Sequence, residues 1–296
     1  MRFSAVEATL DFLRTQARLV SADLTKFSRY RVTVIGYLAL VIFSILAAIL
    51  VYHTEQALAV TSASGYQFAI GLMFRFLDFG ALILYVLLCL VFAIEVSNST
   101  IKCILTRAVT RTELILSKFL TAMVMVIIAI GSLWIVALGS AAYYYGLGDL
   151  VENDYVIFRA GYVFGQIAVG TLFLLIPFAA LAAMALMVSS FSNTLGEATI
   201  LGLVGYFFFQ ILGLIPASLG MPFHWGDEIH LFSYGTLGFP SQRFVPMYVL
   251  DDLPSGIPIE SWWTWDIQKM TLVCGVFFAV FASTAVMRVR SRDFTL

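Results

Sequence analysis

Glu95-Val96-Ser97-Asn98-Ser99-Thr100-Ile101-Lys102-Cys103-Ile104-Leu105-Thr106-Arg107-Ala108-Val109-Thr110-Arg111-Thr112-Glu113, running on through Leu114 to Lys118, decides how this chain is read. Long apolar runs flank it on both sides, so it is a compact polar island held against a membrane. It carries four cations, Lys102, Arg107, Arg111 and Lys118. Two helix starts are legible inside it. Ser97, Asn98, Ser99 and Thr100 can each cap the free N–H groups of a short helix over Ile101–Leu105. Thr110-Arg111-Thr112-Glu113 is a capping box, in which the Thr110 hydroxyl serves the first turn and Glu113 reaches back. The local expectation is a short amphipathic helix, a break at Arg107–Val109, and a new helix entering the bilayer.

Outward from that island the composition is that of a membrane protein. Apolar residues make up 61% of the 296 and charged residues 12%, with a mean hydropathy of +0.94; soluble domains hold about 45–50% apolar residues. A hydrocarbon core of about 30 Å needs ~20 apolar residues per helix. Stretches 32–52, 77–96, 119–145, 162–188, 198–219 and 270–287 meet or approach that length. The expected fold class is therefore all-α integral membrane, with six transmembrane helices. Cys89, Cys103 and Cys274 lie in or beside the spans and none in an external loop, which argues against a disulfide framework. The first apolar run is too long for a cleavable signal peptide.

The cations give the orientation. Arg2, Arg14, Arg18, Lys26, Arg29 and Arg31 precede span one; Lys102, Arg107, Arg111 and Lys118 separate spans two and three; Arg288, Arg290 and Arg292 follow span six. Only Arg75, Arg159, Arg243 and Lys269 lie on the other side. The positive-inside rule puts both termini and the central loop in the cytoplasm.

Residues 1–31 form a cytoplasmic segment of their own. Phe3, Val6, Leu10, Leu13, Ala17, Val20, Leu24 and Phe27 recur at spacings of three and four, away from Glu7, Asp11, Arg14 and Arg18. That pattern predicts an amphipathic helix over 3–28 in the interface plane, with its cations near anionic headgroups. A coiled-coil arm fits the same spacing, but only about three to four heptads are available. Residues 32–296 form the transmembrane domain, with a cytoplasmic loop at 97–118 and an external segment at 217–269.

His53 to Arg75 reads as an external connection, and Arg75 and Asp78 are one helical turn apart at the mouth of span two. Tyr143-Tyr144-Tyr145 closes span three as an aromatic belt, and the acidic stretch 146–159 follows outside. No Asp, Glu, Lys or Arg lies between Arg159 and Glu197, and Pro177 is expected to kink span four. The turn Ser189–Thr194 is cytoplasmic by parity, either a plain hairpin or a second partner contact. Six of the seven prolines and four of the five tryptophans lie beyond residue 215. Apolar pieces there are too short to span, so a partly re-entrant external structure is expected. Within it His224, Asp227, Glu228 and His230 are weak metal candidates, since imidazole and carboxylate ligate zinc or copper; their spacing matches no metal motif.

Missing motifs limit the chemistry. The sequence contains no G-x-x-x-x-G-K-[ST] for ATP, no H-E-x-x-H and no G-x-S-x-G. No histidine lies in a span, and no charge lies deep enough in one to mark an ion relay. Gln166 and Gln210 are the notable interior polar groups, either lining a path or joining helices by hydrogen bonds. No enzymatic activity, no cofactor and no nucleic-acid partner is expected of this chain.

Glu95, the Ser99-Thr100-Ile101 step, Leu105-Thr106-Arg107-Ala108-Val109-Thr110-Arg111, Glu113-Leu114 and Lys118 resemble the cytoplasmic loop of ABC-2 type permeases, the membrane subunits of ATP-binding-cassette exporters. In that family the pattern is an acid, a Gly/Ser-Thr step, R-P-V-[ST]-R, E-L and a lysine. Here Ala108 stands for the proline and Ser99 for the glycine. The whole plan also looks like the type V arrangement: N-terminal helix, six spans, basic loop between two and three, elaborated segment between five and six. The resemblance implies a multi-pass protein of a prokaryotic plasma or inner membrane. It implies a pathway formed with a second permease copy or homologue, and separate P-loop ATPase subunits that bind ATP and Mg. Ser99, Thr100, Ile101, Lys102, Leu105, Arg107, Arg111, Glu113 and Lys118 would then couple the permease to the ATPase. An ATPase-independent channel or secondary transporter, or a non-transporting assembly subunit, stays open as an alternative.

Overall fold

A computed structural model describes residues 5–58, 64–97, 110–152, 155–218, 263 and 265–292. The described residues form α1 (Ala5–Arg29), α2 (Arg31–Leu58), α3 (Gly65–Ser97), α4 (Arg111–Tyr144), β1 (Leu150–Glu152), β2 (Tyr155–Phe158), α5 (Ala160–Phe191), α6 (Leu195–Ser218) and α7 (Trp265–Ser291). Five of these helices are long and apolar enough to cross a membrane: α2, α3 from Gly80, α4, α5 and α7 from Met270. The protein is thus all-α and membrane-embedded. In α6 the stretch Leu195–Phe208 is apolar but shorter than that threshold, within a helix that runs to Ser218. The segment expected to be re-entrant, 217–269, lies largely outside the described residues.

α3 is the centre of the bundle and touches α2, α4, α5 and α6. It is the most enclosed span and α2 the least, so α2 presents Ile35, Leu38, Leu46 and Leu50 outward. α3 also begins earlier than hydropathy predicts. The expected connection 53–75 shrinks, because α2 continues to Leu58 and α3 starts at Gly65. Arg75 is exposed on the flank of α3 while Phe68, Ala69, Ile70, Leu72 and Met73 are buried. A charge that projects outward does not end a helix whose other faces are packed. Across the bundle, Gly202 of α6 lets α3 approach closely and Gly205 lets α5 do so: a Cβ at Gly202 would lie 2.9 Å from Cys89 Sγ, and one at Gly205 3.1 Å from Met184 Cε on α5.

α1 and α2 follow α4 in the same direction, level by level. The Gln16 amide donates to the Glu113 carbonyl at 3.3 Å, and Tyr37 donates to the Met125 carbonyl at 2.7 Å. At the far end Tyr52 stacks on Tyr144 with ring centroids 3.9 Å apart, and Tyr145 donates to the Glu55 carboxylate at 2.7 Å. At about 1.5 Å per residue, the 34 residues of α4 span about 51 Å. That exceeds a hydrocarbon core of about 30 Å, so α4 extends beyond it at its loop-bearing end, alongside α1. The packing face of α1 overlaps its apolar stripe at one edge and is rotated away from the rest of it. Gln16, Asp23 and Phe27 are buried against the bundle, while Leu10 and Leu13 stay exposed.

After α4 the chain makes a small antiparallel hairpin, β1 with β2, within the stretch expected to be an acidic outside loop. Asp149 caps α5 by accepting from the Ala160 N–H at 2.7 Å. The turn between α4 and β1 depends on Gly146, at φ +79. Its carbonyl oxygen would lie 2.1 Å from a Cβ at Gly65. Gly65→Ala is therefore expected to force α3 and α4 apart and destabilise the protein by about 1–3 kcal/mol. Thermal unfolding in detergent checks this, with Gly71→Ala as control, because a Cβ at Gly71 meets nothing within 4 Å.

Candidate functional site

The loop singled out in the sequence is bracketed by a buried ionic cluster. Glu95 sits in the last turn of α3 and Lys118 in the second turn of α4, and both are almost completely buried. Lys118 Nζ lies 2.8 Å from Glu95 Oε1, which ties the two ends of the loop together. The same ammonium lies 2.7 and 2.8 Å from the two Asp23 carboxylate oxygens on α1. Lys26, also on α1, donates to Glu95 Oε1 at 2.8 Å, and the Thr121 hydroxyl donates to Asp23 at 3.3 Å. Two carboxylates thus face two ammonium groups, and three helices meet at one nitrogen. Burial pushes the Asp23 carboxyl above its ordinary range, and the Lys118 charge works against that push. Such a set is stable only when every charge is met with good geometry, because desolvation is costly for each ion.

About two turns before Lys118, the capping box read from the sequence is present. Thr110 Oγ1 accepts from the Glu113 N–H at 3.2 Å, and Glu113 Oε2 accepts from the Thr110 N–H at 2.7 Å. This fixes where α4 starts.

Two arginines extend the assembly sideways. Arg111 donates to the carbonyls of Val289, Arg290 and Arg292 at the end of α7. Arg292 in turn donates to the carbonyls of Ser190 and Ser192, at 2.8 and 2.9 Å, and to Asn193 Oδ1. Helix C-termini have carbonyls without intrahelical donors and a partial negative charge, so guanidinium groups suit both ends. The start of α4, the tail of α7 and the turn between α5 and α6 are consequently one hydrogen-bonded strip. Arg288 lies over the Phe191 ring, 5.3 Å from its centroid, and reinforces the strip.

Of the residues expected to couple to a partner, Arg111, Glu113 and Lys118 are engaged within the chain as described. Ser99, Thr100, Ile101, Lys102, Leu105 and Arg107 lie outside the described residues. So do His224, Asp227, Glu228 and His230; among the described residues no group could hold a metal ion. Gln166 is half-buried on α5, and Gln210 falls in α6, its side chain outside the described residues. Cys89 and Cys274 are buried free thiols. Sequence reasoning missed Asp23 and gave Arg292 only a topological role. The available signal for Asp23 was its place with Gln16 and Phe27 on a face of α1 separate from the charged one.

A family model described as "ABC-2 family transporter protein" matches residues 19–210. The chain belongs to the ABC-2 family. No individual curated protein matches it. The match spans Asp23, Lys26, Glu95 and Lys118 together with the whole loop, and it ends within α6. This ABC-2 permease is therefore a membrane-embedded, multi-pass component of an ABC transporter, and the ionic cluster lies wholly inside its family region. The Arg292 contacts tie residues beyond that region back onto it.

Proposed function

We propose that this permease works as a pair, forms an export pathway between the two copies, and is driven by two separate P-loop ATPases that dock on the loop 97–118. In this reading it has six spans, with α6 as the fifth, and both termini are cytoplasmic. ATP and Mg belong to the partner. The observation that carries the reading is the Lys118 cluster. A loop whose two ends are joined at 2.8 Å and fastened to a third helix cannot flex at its base. A push on the loop tip is then passed to α3, α4 and α1 together, as a coupling element requires. Ser99, Thr100, Ile101, Lys102, Leu105 and Arg107 form the docking tip, while Arg111, Glu113 and Lys118 hold it in place from within. Gln166 and Gln210 remain candidates for the pathway.

Lys102→Glu combined with Arg107→Glu tests the reading. The pair leaves eleven of the thirteen cytoplasmic-side cations, so insertion is expected to be unchanged. Co-purification of the ATPase is expected to fall at least tenfold, because each charge-assisted contact is worth about 1.5–3 kcal/mol when shielded. A cysteine at Asp149 is expected to label from outside and one at Thr112 only from inside. Normal ATPase recovery and transport in the charge-reversed variant would sink the docking role.

A further inference from the structure

Two apolar grooves open beside α1. The first, about 840 Å³, runs between α1 and α4, with Val20, Leu24 and Met123 among its walls. The second, about 470 Å³, lies between α1, α2 and α4, with Phe27, Thr33 and Met125. Leu24 and Ser28 line both, so the two grooves adjoin there and together make up one channel-like surface. Its depth follows from the aromatic belt at Tyr143–Tyr145. Roughly 20 residues below that belt, the length of a hydrocarbon core, α4 reaches Met125. The first groove therefore lies at headgroup level and the second just within the leaflet on the loop-bearing side.

The walls are not uniformly greasy. Thr33 is 4% exposed, and its hydroxyl has no hydrogen-bond partner. An apolar wall with one buried, unsatisfied hydroxyl is unfavourable unless a ligand supplies an acceptor. One lip of the channel is basic. Arg14, Arg18, Ser21, Thr25 and Ser28 succeed one another at spacings of four, three, four and three, a single line on a helix, and Arg29 lies one turn beyond Thr25. The Thr25 and Ser28 hydroxyls already donate to their own helix, so the exposed Arg29, four residues before Thr33, is the group on this lip that would engage a phosphate.

We infer that this channel is a binding site for one anionic phospholipid, with the phosphate on Arg29, an ester carbonyl on Thr33 and an acyl chain between α2 and α4. The site does not depend on ATPase docking. The test is native mass spectrometry of the full chain, purified in mild detergent and offered phosphatidylglycerol and phosphatidylcholine with identical acyl chains. One phosphatidylglycerol per chain is expected to persist under conditions that strip phosphatidylcholine. Ser28→Trp, an exposed position where both grooves meet, is expected to lower retention at least tenfold. Thr33→Val keeps the shape and is expected to lower it several-fold. Arg29→Gln is expected to remove the preference between the two lipids. Leu172→Trp, an exposed position on α5, which lines neither groove, is expected to change nothing. Equal retention of both lipids by the unaltered chain overturns the inference. So does undiminished retention in Ser28→Trp, or a loss of dimer there with lipid unchanged, which would assign the face to a second copy.

Discussion

Lys118→Met is expected to destabilise the permease by about 3–5 kcal/mol, the largest effect of any single change proposed for it. The substitution keeps the aliphatic bulk but removes the ammonium that the buried Asp23 and Glu95 both face. The loss should appear as a much lower unfolding temperature in detergent and as proteolysis within α1, since Asp23 then loses the ammonium it pairs with. Restoration separates charge from packing. Adding Asp23→Asn and Glu95→Gln to Lys118→Met removes the uncompensated charges, and most of the lost stability is expected to return. If Lys118→Met alone unfolds at the same temperature as the unaltered protein, the cluster does not hold the three helices together.

Arg292→Ala is expected to cost about 2 kcal/mol, because it removes three charge-assisted hydrogen bonds from the α5–α6 turn. Arg292→Lys is expected to recover only part of this, since an ammonium cannot fork across three acceptors as a guanidinium does. The Arg292 carbonyl also accepts from Arg111, so the change should be felt at both ends of the strip. Amide exchange is expected to rise at residues 189–194 and again at 110–114. A double-mutant cycle with Arg111→Ala provides the quantitative check. The strip requires a coupling of at least about 0.5 kcal/mol, and simple additivity would mean the two arginines act independently.

Much of this architecture was legible from residue order alone. Hydropathy located the spans because a bilayer demands long apolar helices. The capping box at Thr110 and Glu113 was readable because its partners are three residues apart. The cluster was not, because its contacts join positions 95 and 69 residues apart, and nothing local marks Asp23 as the partner of Lys118. Arg111 and Arg292 were hidden for another reason: counting cations for topology treats all arginines alike, whereas these two are set apart by the carbonyls they meet. The early start of α3 was obscured by Arg75, which lowers any averaged hydropathy but points away from the packed face. The hairpin at Leu150–Phe158 was overlooked because that stretch was read for its charge rather than for its β-branched residues Val151, Val156 and Ile157.

The cluster also sets an order for assembly. Ribosomes deliver Asp23 first, Glu95 some seventy residues later and Lys118 last. Until Lys118 is made, the two carboxylates lack the ammonium that bridges them, and α1 has no strong reason to dock. The N-terminal helix must therefore wait at the membrane surface through the insertion of two spans and lock in place only when the fourth helix emerges. A nascent chain stalled before Lys118 would keep that helix loose, and the loop meant for docking would be left without a closed base.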